Sequence, residues 1–168
     1  MLKWLGLCWV VLLSACSNYC YNFGIKDDKA MVDTSNFRAS IEIVSGEGDV
    51  YPMNAYRLSI FNYTYEDIEV DWNKTYFICN GKIKGKFMFR GDDFTKRNAP
   101  KAPSVILPQE KLVKVIYPNA LALCSPVCLN NSMIPDGETG VDLTLNVDGY
   151  EVKTQLLISK STCKAEKK

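Results

Sequence analysis

The sequence predicts an all-β protein, an antiparallel β-sandwich of about eight to nine strands in a single domain. Three observations carry that prediction. From Phe37 onward, apolar and polar residues alternate with a period of two, the pattern of half-buried strands. Asn80-Gly81 and Asp148-Gly149 interrupt alternating runs, as two-residue type I′ hairpin loops do. No long window carries the apolar repeat of an amphipathic helix, and the nearest, 118–123, allows at most one turn.

The elements follow in order. In 37–44, Phe37, Ala39, Ile41 and Ile43 share one face, and Arg38, Ser40 and Glu42 share the other. Tyr56, Leu58 and Ile60 repeat the pattern in 55–62, and Ile68, Val70 and Trp72 repeat it in 67–72 against Glu69 and Asp71. Strands 75–80 and 82–90 flank the first hairpin loop. A two-residue loop there pairs Ile78 with Ile83 and Tyr76 with Gly85, and puts Phe77, Cys79, Lys82 and Lys84 on the opposite face. Strands 104–107 and 111–117 come next. Strands 140–147 and 150–159 flank the second loop, which pairs Val147 with Tyr150, Leu145 with Val152 and Val141 with Leu156. A slip of one residue would reverse both faces, so the pattern specifies register. The stretch LSIFNYTYEDIEVDWNKTYFI, 58–78, resembles the strand–turn–strand of immunoglobulin-like domains in bacterial surface proteins. That resemblance implies an immunoglobulin-like sandwich.

The N-terminus reads differently. MLKWLGLCWVVLLSAC has one early lysine, an apolar run over 4–13 and then small residues, the order of a secretory signal. About ten apolar residues are too few to cross a ~30 Å hydrocarbon core. Leu13-Ser14-Ala15-Cys16 resembles the lipobox of bacterial lipoproteins. The resemblance implies cleavage before Cys16, a diacylglyceryl group on its thiol and an acyl chain on its new amine. Several acyl chains anchor firmly where one binds only marginally. Ser17, rather than Asp, at the next position implies passage to the outer membrane in enteric bacteria. The expected organisation is a signal peptide at 1–15, a lipidated N-terminus and flexible tether at 16–36, the sandwich at 37–160, and a basic tail at 161–168. A competing reading is a secreted eukaryotic glycoprotein, suited by the tripeptide sequons at Asn62, Asn73 and Asn130.

Composition narrows function. The chain has 20 basic and 19 acidic residues, and removal of Lys3 with the signal leaves it near neutral. No global field attracts nucleic acid, so none is expected as a partner. There is no histidine, which removes Ser-His-Asp and Cys-His catalysis and the commonest metal ligand. The chain is read as not an enzyme, with no cofactor, no metal and no small-molecule substrate. Of seven cysteines, Cys8 leaves with the signal and Cys16 takes lipid. Cys20, Cys79, Cys124, Cys128 and Cys163 remain as disulfide candidates in an oxidising compartment, an odd number. Cys124 and Cys128 could close a small loop through Pro126, given Cα atoms within ~7 Å. As zinc ligands they lack a second pair.

Two features could bind. Lys82, Lys84, Lys86 and Arg90 alternate along one predicted strand face, with Ile83, Phe87 and Phe89 opposite. Such lysines protect an edge strand from aggregation, or meet an anionic surface such as lipopolysaccharide, lipid headgroups or an acidic protein. Loop 91–104 adds Lys96, Arg97 and Lys101 beside Asp92 and Asp93. Loop 118–140 carries Leu121, Leu123, Leu129, Met133 and Ile134, an expected apolar contact patch. Long loops in compact domains are often functional. The expected protein is an envelope lipoprotein, anchored to the membrane through Cys16 at the outer membrane, facing the periplasm and binding an envelope protein without catalysis. The alternative is a small inhibitor or exclusion factor that blocks a hydrolase or phage receptor with loop 91–104.

Overall fold

A computed structural model describes residues 23–25, 29–45, 54–121, 123–124, 128–129 and 133–162. In chain order the strands are β1 (Phe23–Ile25), β2 (Lys29–Asp33), β3 (Phe37–Val44), β4 (Ala55–Asn62), β5 (Ile68–Val70), β6 (Tyr76–Cys79), β7 (Lys82–Gly85), β8 (Phe87–Met88), β9 (Ser104–Ile106), β10 (Lys111–Pro118), β11 (Leu123–Cys124), β12 (Cys128–Leu129), β13 (Gly137–Val147) and β14 (Tyr150–Thr162). The predicted 118–123 turn is a single 3-10 turn, Asn119–Leu121.

Twelve of the strands form two antiparallel sheets packed face to face, an all-β sandwich, and β11 and β12 form a separate two-stranded ladder. One sheet runs β2-β3-β4-β10-β8. In the other, β13 is central, with β14 and then β1 on one side. On its other side lie β5, which carries β9, and β6, which carries β7. The orders β3-β4-β10-β8 and β7-β6-β13-β14 match the A-B-E-D and C′-C-F-G orders of immunoglobulin-like sandwiches, with β1, β2 and β9 added at the margins.

The core follows the period-two pattern. Phe37, Ala39, Ile41, Ile43, Tyr56, Leu58 and Ile60 of one sheet meet Ile68, Val70, Phe77, Val141, Leu143 and Leu145 of the other, all buried. Tyr56, Phe77 and Phe87 fill the centre with ring centroids 6.3–6.5 Å apart. Their polar handle is satisfied, because the Tyr56 hydroxyl donates to Thr139 Oγ1 at 2.9 Å.

The two hairpins differ. Asp148 and Gly149 have φ of 52° and 77°, and the predicted pairs Val147–Tyr150, Leu145–Val152 and Val141–Leu156 all form. Asn80 and Gly81 have φ of 50° and 71°, and Ile78 pairs with Ile83 as predicted. The next predicted pair does not form: a bulge between Phe77 and Ile78 sets Gly85 opposite Phe77, not Tyr76, and both Phe77 and Ile78 are buried. The expected strand 82–90 is two strands in different sheets. The chain crosses between them at Gly85-Lys86, where Asn119 N donates to Lys86 O at 2.9 Å. A Cβ on Gly85 would lie 2.2 Å from Asn119 Oδ1, so the crossing needs glycine.

The predicted strands 67–72 and 75–80 are β5 and β6, both paired with β13. The five-residue turn between them, 71–75, stays bonded to β13. Asp71 N donates to Thr144 O at 3.0 Å, Thr144 N donates to Thr75 Oγ1 at 3.2 Å, and Thr144 Oγ1 donates to Lys74 O at 2.8 Å. The expected tether is also revised. β2 pairs along its whole length with β3, and β1 pairs with the end of β14, so the sandwich begins inside the 16–36 segment.

Candidate functional site

Register places two features that side-chain patterning alone does not. The first is the outer face of β2-β3-β4-β10. Cross-strand partners line up in three rows across it. Met31, Ser40, Ser59 and Val113 form the middle row. Asp33, Arg38, Phe61 and Lys111 lie on one side, and Lys29, Glu42, Arg57 and Val115 on the other. Serines in the two central strands make a low floor, and longer side chains wall it on both sides. The hollow has a volume of about 540 Å³. Met31 and Val113 at its ends are 58% and 52% exposed. Asp33 accepts from Arg38 at 2.5 Å, and Glu42 accepts from Arg57 at 2.6 Å. Arg38 also lies 5.8 Å from the Tyr63 ring centroid, and the Tyr63 ring packs tilted against Phe61 with centroids 5.1 Å apart. The arginines are thereby held, and Lys29 and Lys111 add positive charge at opposite corners.

The second feature is a cleft of about 560 Å³ where β9 and β10 close the sandwich, walled by loop 89–104. The loop is pinned by its backbone. Asn73 Nδ2 donates to Lys101 O at 2.8 Å and Lys101 N donates to Asn73 Oδ1 at 2.9 Å. Asp92 accepts from Phe89 N at 2.8 Å and from the Lys101 ammonium at 2.5 Å. Asp93 accepts from the hydroxyl and backbone N–H of Thr95, which hold its carboxyl below the usual range. Trp72 packs edge-on to Phe89 at 4.8 Å, and its Nε1 donates to Ser104 Oγ at 2.9 Å. The Lys114 ammonium sits over these rings.

The predicted basic stripe does not exist as one face. Lys82 and Lys84 are exposed on β7, in one sheet; so is Ile83, at 59%. Lys86 is half-buried at the crossing and Arg90 follows β8, in the other sheet. Lys96 and Lys101 line the cleft; Arg97 is half-buried in the same loop. Two residues of the expected apolar patch of loop 118–140 face inward. Leu121 packs against the core, and Ile134 is fully buried, its carbonyl accepting from the buried Lys160 ammonium at 2.5 Å. Burial lowers the Lys160 pKa from the ordinary lysine value, with Asp136 opposing.

Cys79 is half-buried and bonded to no other described cysteine. Cys124 and Cys128 are register partners in the β11–β12 ladder. Cys16, Cys20 and Cys163 lie outside the described residues. Two of the three sequon asparagines are structural. Asn62 is fully buried, donating to Glu66 O at 2.8 Å and Ile106 O at 3.0 Å and accepting from Thr64 N and Oγ1 at 2.8 and 2.7 Å. Asn73 is the loop clamp; a glycan on either amide would break its bonds. Asn130 lies outside the described residues.

Among the described residues, no three His, Cys, Asp or Glu side chains gather as a metal-holding group, and no helix is long and apolar enough to cross a membrane. Sequence reasoning missed Met31, Ser40, Ser59 and Val113, because only register brings them into one row. It also passed over Lys114, although a lysine between Leu112 and Ile116 in an apolar series is a visible signal. Compared with known proteins, the chain matches no family model, no curated protein and no solved structure.

Proposed function

We propose that this chain is a bacterial envelope lipoprotein, anchored through Cys16 at the outer membrane and facing the periplasm, whose sandwich docks another envelope protein without catalysis. The docking surface is the outer face of β2-β3-β4-β10. The observation that carries this reading is its composition. Met, Arg and aromatic residues are enriched at the cores of protein interfaces, and Met31, Arg38, Arg57, Phe61 and Tyr63 gather here around a hollow. The occupant is an acidic segment of the partner. It sets one apolar side chain over Ser40 and Ser59, and its carboxylates meet Lys29 and Lys111. Four cations against Asp33 and Glu42 favour that sign of partner. The Arg–carboxylate pairs are exposed and worth little to stability, which leaves them free to exchange partners.

The opposed positions of Cys124 and Cys128 in the ladder support a bridge between them. Antiparallel partners lie about 4.5–5.5 Å apart at Cα, within disulfide range. It forms by exchange with a disulfide oxidant of the envelope, whose own disulfide takes up the two electrons and two protons released.

The test is photo-crosslinking in native membranes. A photoreactive residue replacing Val113 should yield a discrete protein adduct, whereas one replacing Lys82 on β7 should not. Recovery of monomer alone from both positions, or equal adducts from both, would overturn the docking assignment. Intact mass of the native product tests the anchor separately: diacylglyceryl and acyl groups on Cys16 are expected, and a free Ser17 terminus counts against them.

A further inference from the structure

The core-facing residues of β10 are Leu112, Lys114 and Ile116, opposite the fully buried Ile60, Leu58 and Tyr56. An apolar residue is the default at the middle position. Lys114 instead directs its ammonium into the cleft beside loop 89–104, 3.6 Å from the Phe89 ring centroid and 5.2 Å from that of Trp72. Rings attract the cation but accept no strong hydrogen bond. An ammonium has three donors. The hydrogen-bond partner it has here is Ser104 Oγ, at 3.5 Å and already engaged by Trp72 Nε1. Among the described residues, no carboxylate stands within ion-pair distance of Lys114; Asp92 is committed to Lys101. A partly desolvated cation with spare donors is costly to keep. It is also a common mark of a binding site.

The surroundings are built rather than loose. Both faces of the Asn73 amide hold the Lys101 backbone, and Asn119 Nδ2 donates to Asn98 Oδ1 at 2.7 Å, so the cleft wall is fixed in advance. Lys101 Nζ also lies 4.9 Å from the Phe89 ring, so two ammonium groups share one aromatic floor. Ala99, Pro100, Ala102 and Pro103 supply apolar wall. The charges facing the cleft are Lys96, Lys101 and Lys114 against Asp92 and Asp93, one net positive charge. That balance suits a monoanion; a phosphate dianion would face two fixed carboxylates with too little cation to match.

We infer that this cleft is a carboxylate-binding site, with the Lys114 ammonium as the charged anchor, Ser104 beside it, and Phe89 with the proline–alanine wall receiving the apolar part of the ligand. It is independent of the outer sheet face and of the anchor at Cys16. Burial lowers the Lys114 pKa from the ordinary lysine value; Asp92 opposes that and Lys101 adds to it. A bound carboxylate would return the missing partner.

The experiment is amide-resolved NMR on the full chain in detergent micelles, titrated with sodium 3-phenylpropionate and, separately, with 3-phenylpropionamide. Saturable shifts are expected at the backbone amides of Phe89, Lys101, Ser104 and Lys114, with the acid bound about tenfold or more tightly than the amide. Lys114→Met should erase that preference while shifts elsewhere in the spectrum stay in place, and Lys114→Arg should retain most of it. Should Lys114→Met not fold, a second measurement on the unaltered chain decides. The acid's advantage should fade with rising pH, at a lower pH than an ordinary lysine would give. Equal binding of acid and amide, no saturable shift at these residues, or an unchanged preference in a folded Lys114→Met would overturn the assignment. An N-acetylated peptide ending in phenylalanine distinguishes sources. Tighter binding than 3-phenylpropionate assigns the site to polypeptide C-termini, weaker binding assigns it to small organic acids, and either order supports the site.

Discussion

The two long margins of the sandwich are closed by different means. At one, strand lies on strand: β2 packs against β14, and Ala30 and Val32 turn toward the core. At the other, β8 and β9 have two and three residues, too few to close the gap. Side chains do it instead. Trp72, Phe89 and Lys114 stack between the sheets, Asn73 clamps the loop that covers them, and Asn62 ties the end of β4 to β9. A margin made of one paired strand packed on another is insensitive to most single side-chain changes. A margin made of side chains leaves a shaped cavity, and single substitutions reach it. Ligand sites belong at the second kind.

The sharpest way to break this contrast is Asn62→Ala. It removes the donor to the buried Ile106 O and the acceptor of Thr64 N, while Glu66 O keeps the Thr64 hydroxyl, and it should cost about 2 kcal/mol or more of stability. Val32→Ala at the other margin should cost roughly 1 kcal/mol, since that side chain is only half-buried. Urea unfolding of both variants measures the difference, and similar losses would erase the contrast. Asn73→Ala comes next, at about 1–2 kcal/mol for two backbone partners. Its more telling result is local: hydrogen exchange at the Lys101 amide should rise while β13 and β14 stay protected. Ser59→Arg fills the floor of the outer hollow with a solvent-facing side chain. It should abolish the Val113 crosslink with stability changed by no more than about 0.5 kcal/mol; a surviving adduct would show that the hollow is not the contact.

A further effect is expected at the centre, between the margins. Burial raises the Tyr56 pKa well above its ordinary 10.0, with the Thr139 hydrogen bond opposing. The group's stability is present below the unfolded value and is lost as pH climbs past it toward the raised folded value. Tyr56→Phe should therefore cost about 1 kcal/mol at pH 7 through the lost hydrogen bond, and should flatten the decline in stability above pH 10.0. Urea midpoints across that range check the sign.

How much of this was legible from residues alone varies with the distance over which the cause acts. Strands 37–44 and 55–62 match to the residue, because alternation is local. The Asp148-Gly149 hairpin reads correctly through its whole ladder for the same reason. Asn80-Gly81 has equivalent turn chemistry, yet its register shifts at the bulge between Phe77 and Ile78, and the chain leaves the sheet after Gly85, where Asn119 approaches from a distant part of the chain. By its residues alone β2 reads as tether, since KAMVD is five residues among polar ones; pairing with β3 makes it a strand. The predicted lysine stripe failed because alternation was extended across a point where the chain changes sheets. The outer hollow could not be read at all, being a row across four strands. Lys114 was readable as an anomaly within its strand, but its rings come from Trp72 and Phe89, which only the folded margin brings near.

The pairing of Phe23 with Thr162 has a practical consequence for instrumenting the molecule. Phe23 and Thr162 stand side by side at the foot of β14. That strand has 13 residues, about 43 Å at ~3.3 Å each. Ser104 stands level with Val70, which pairs with Leu145 and so lies level with Val152. The cleft is therefore roughly 30 Å along the strand from that foot. A reporter fused after Thr162 would be delivered close to Phe23 and away from the cleft. A dye pair placed at Phe23 and Asp148 would span the strand as a molecular ruler, and a ligand in the cleft would register at the upper dye alone.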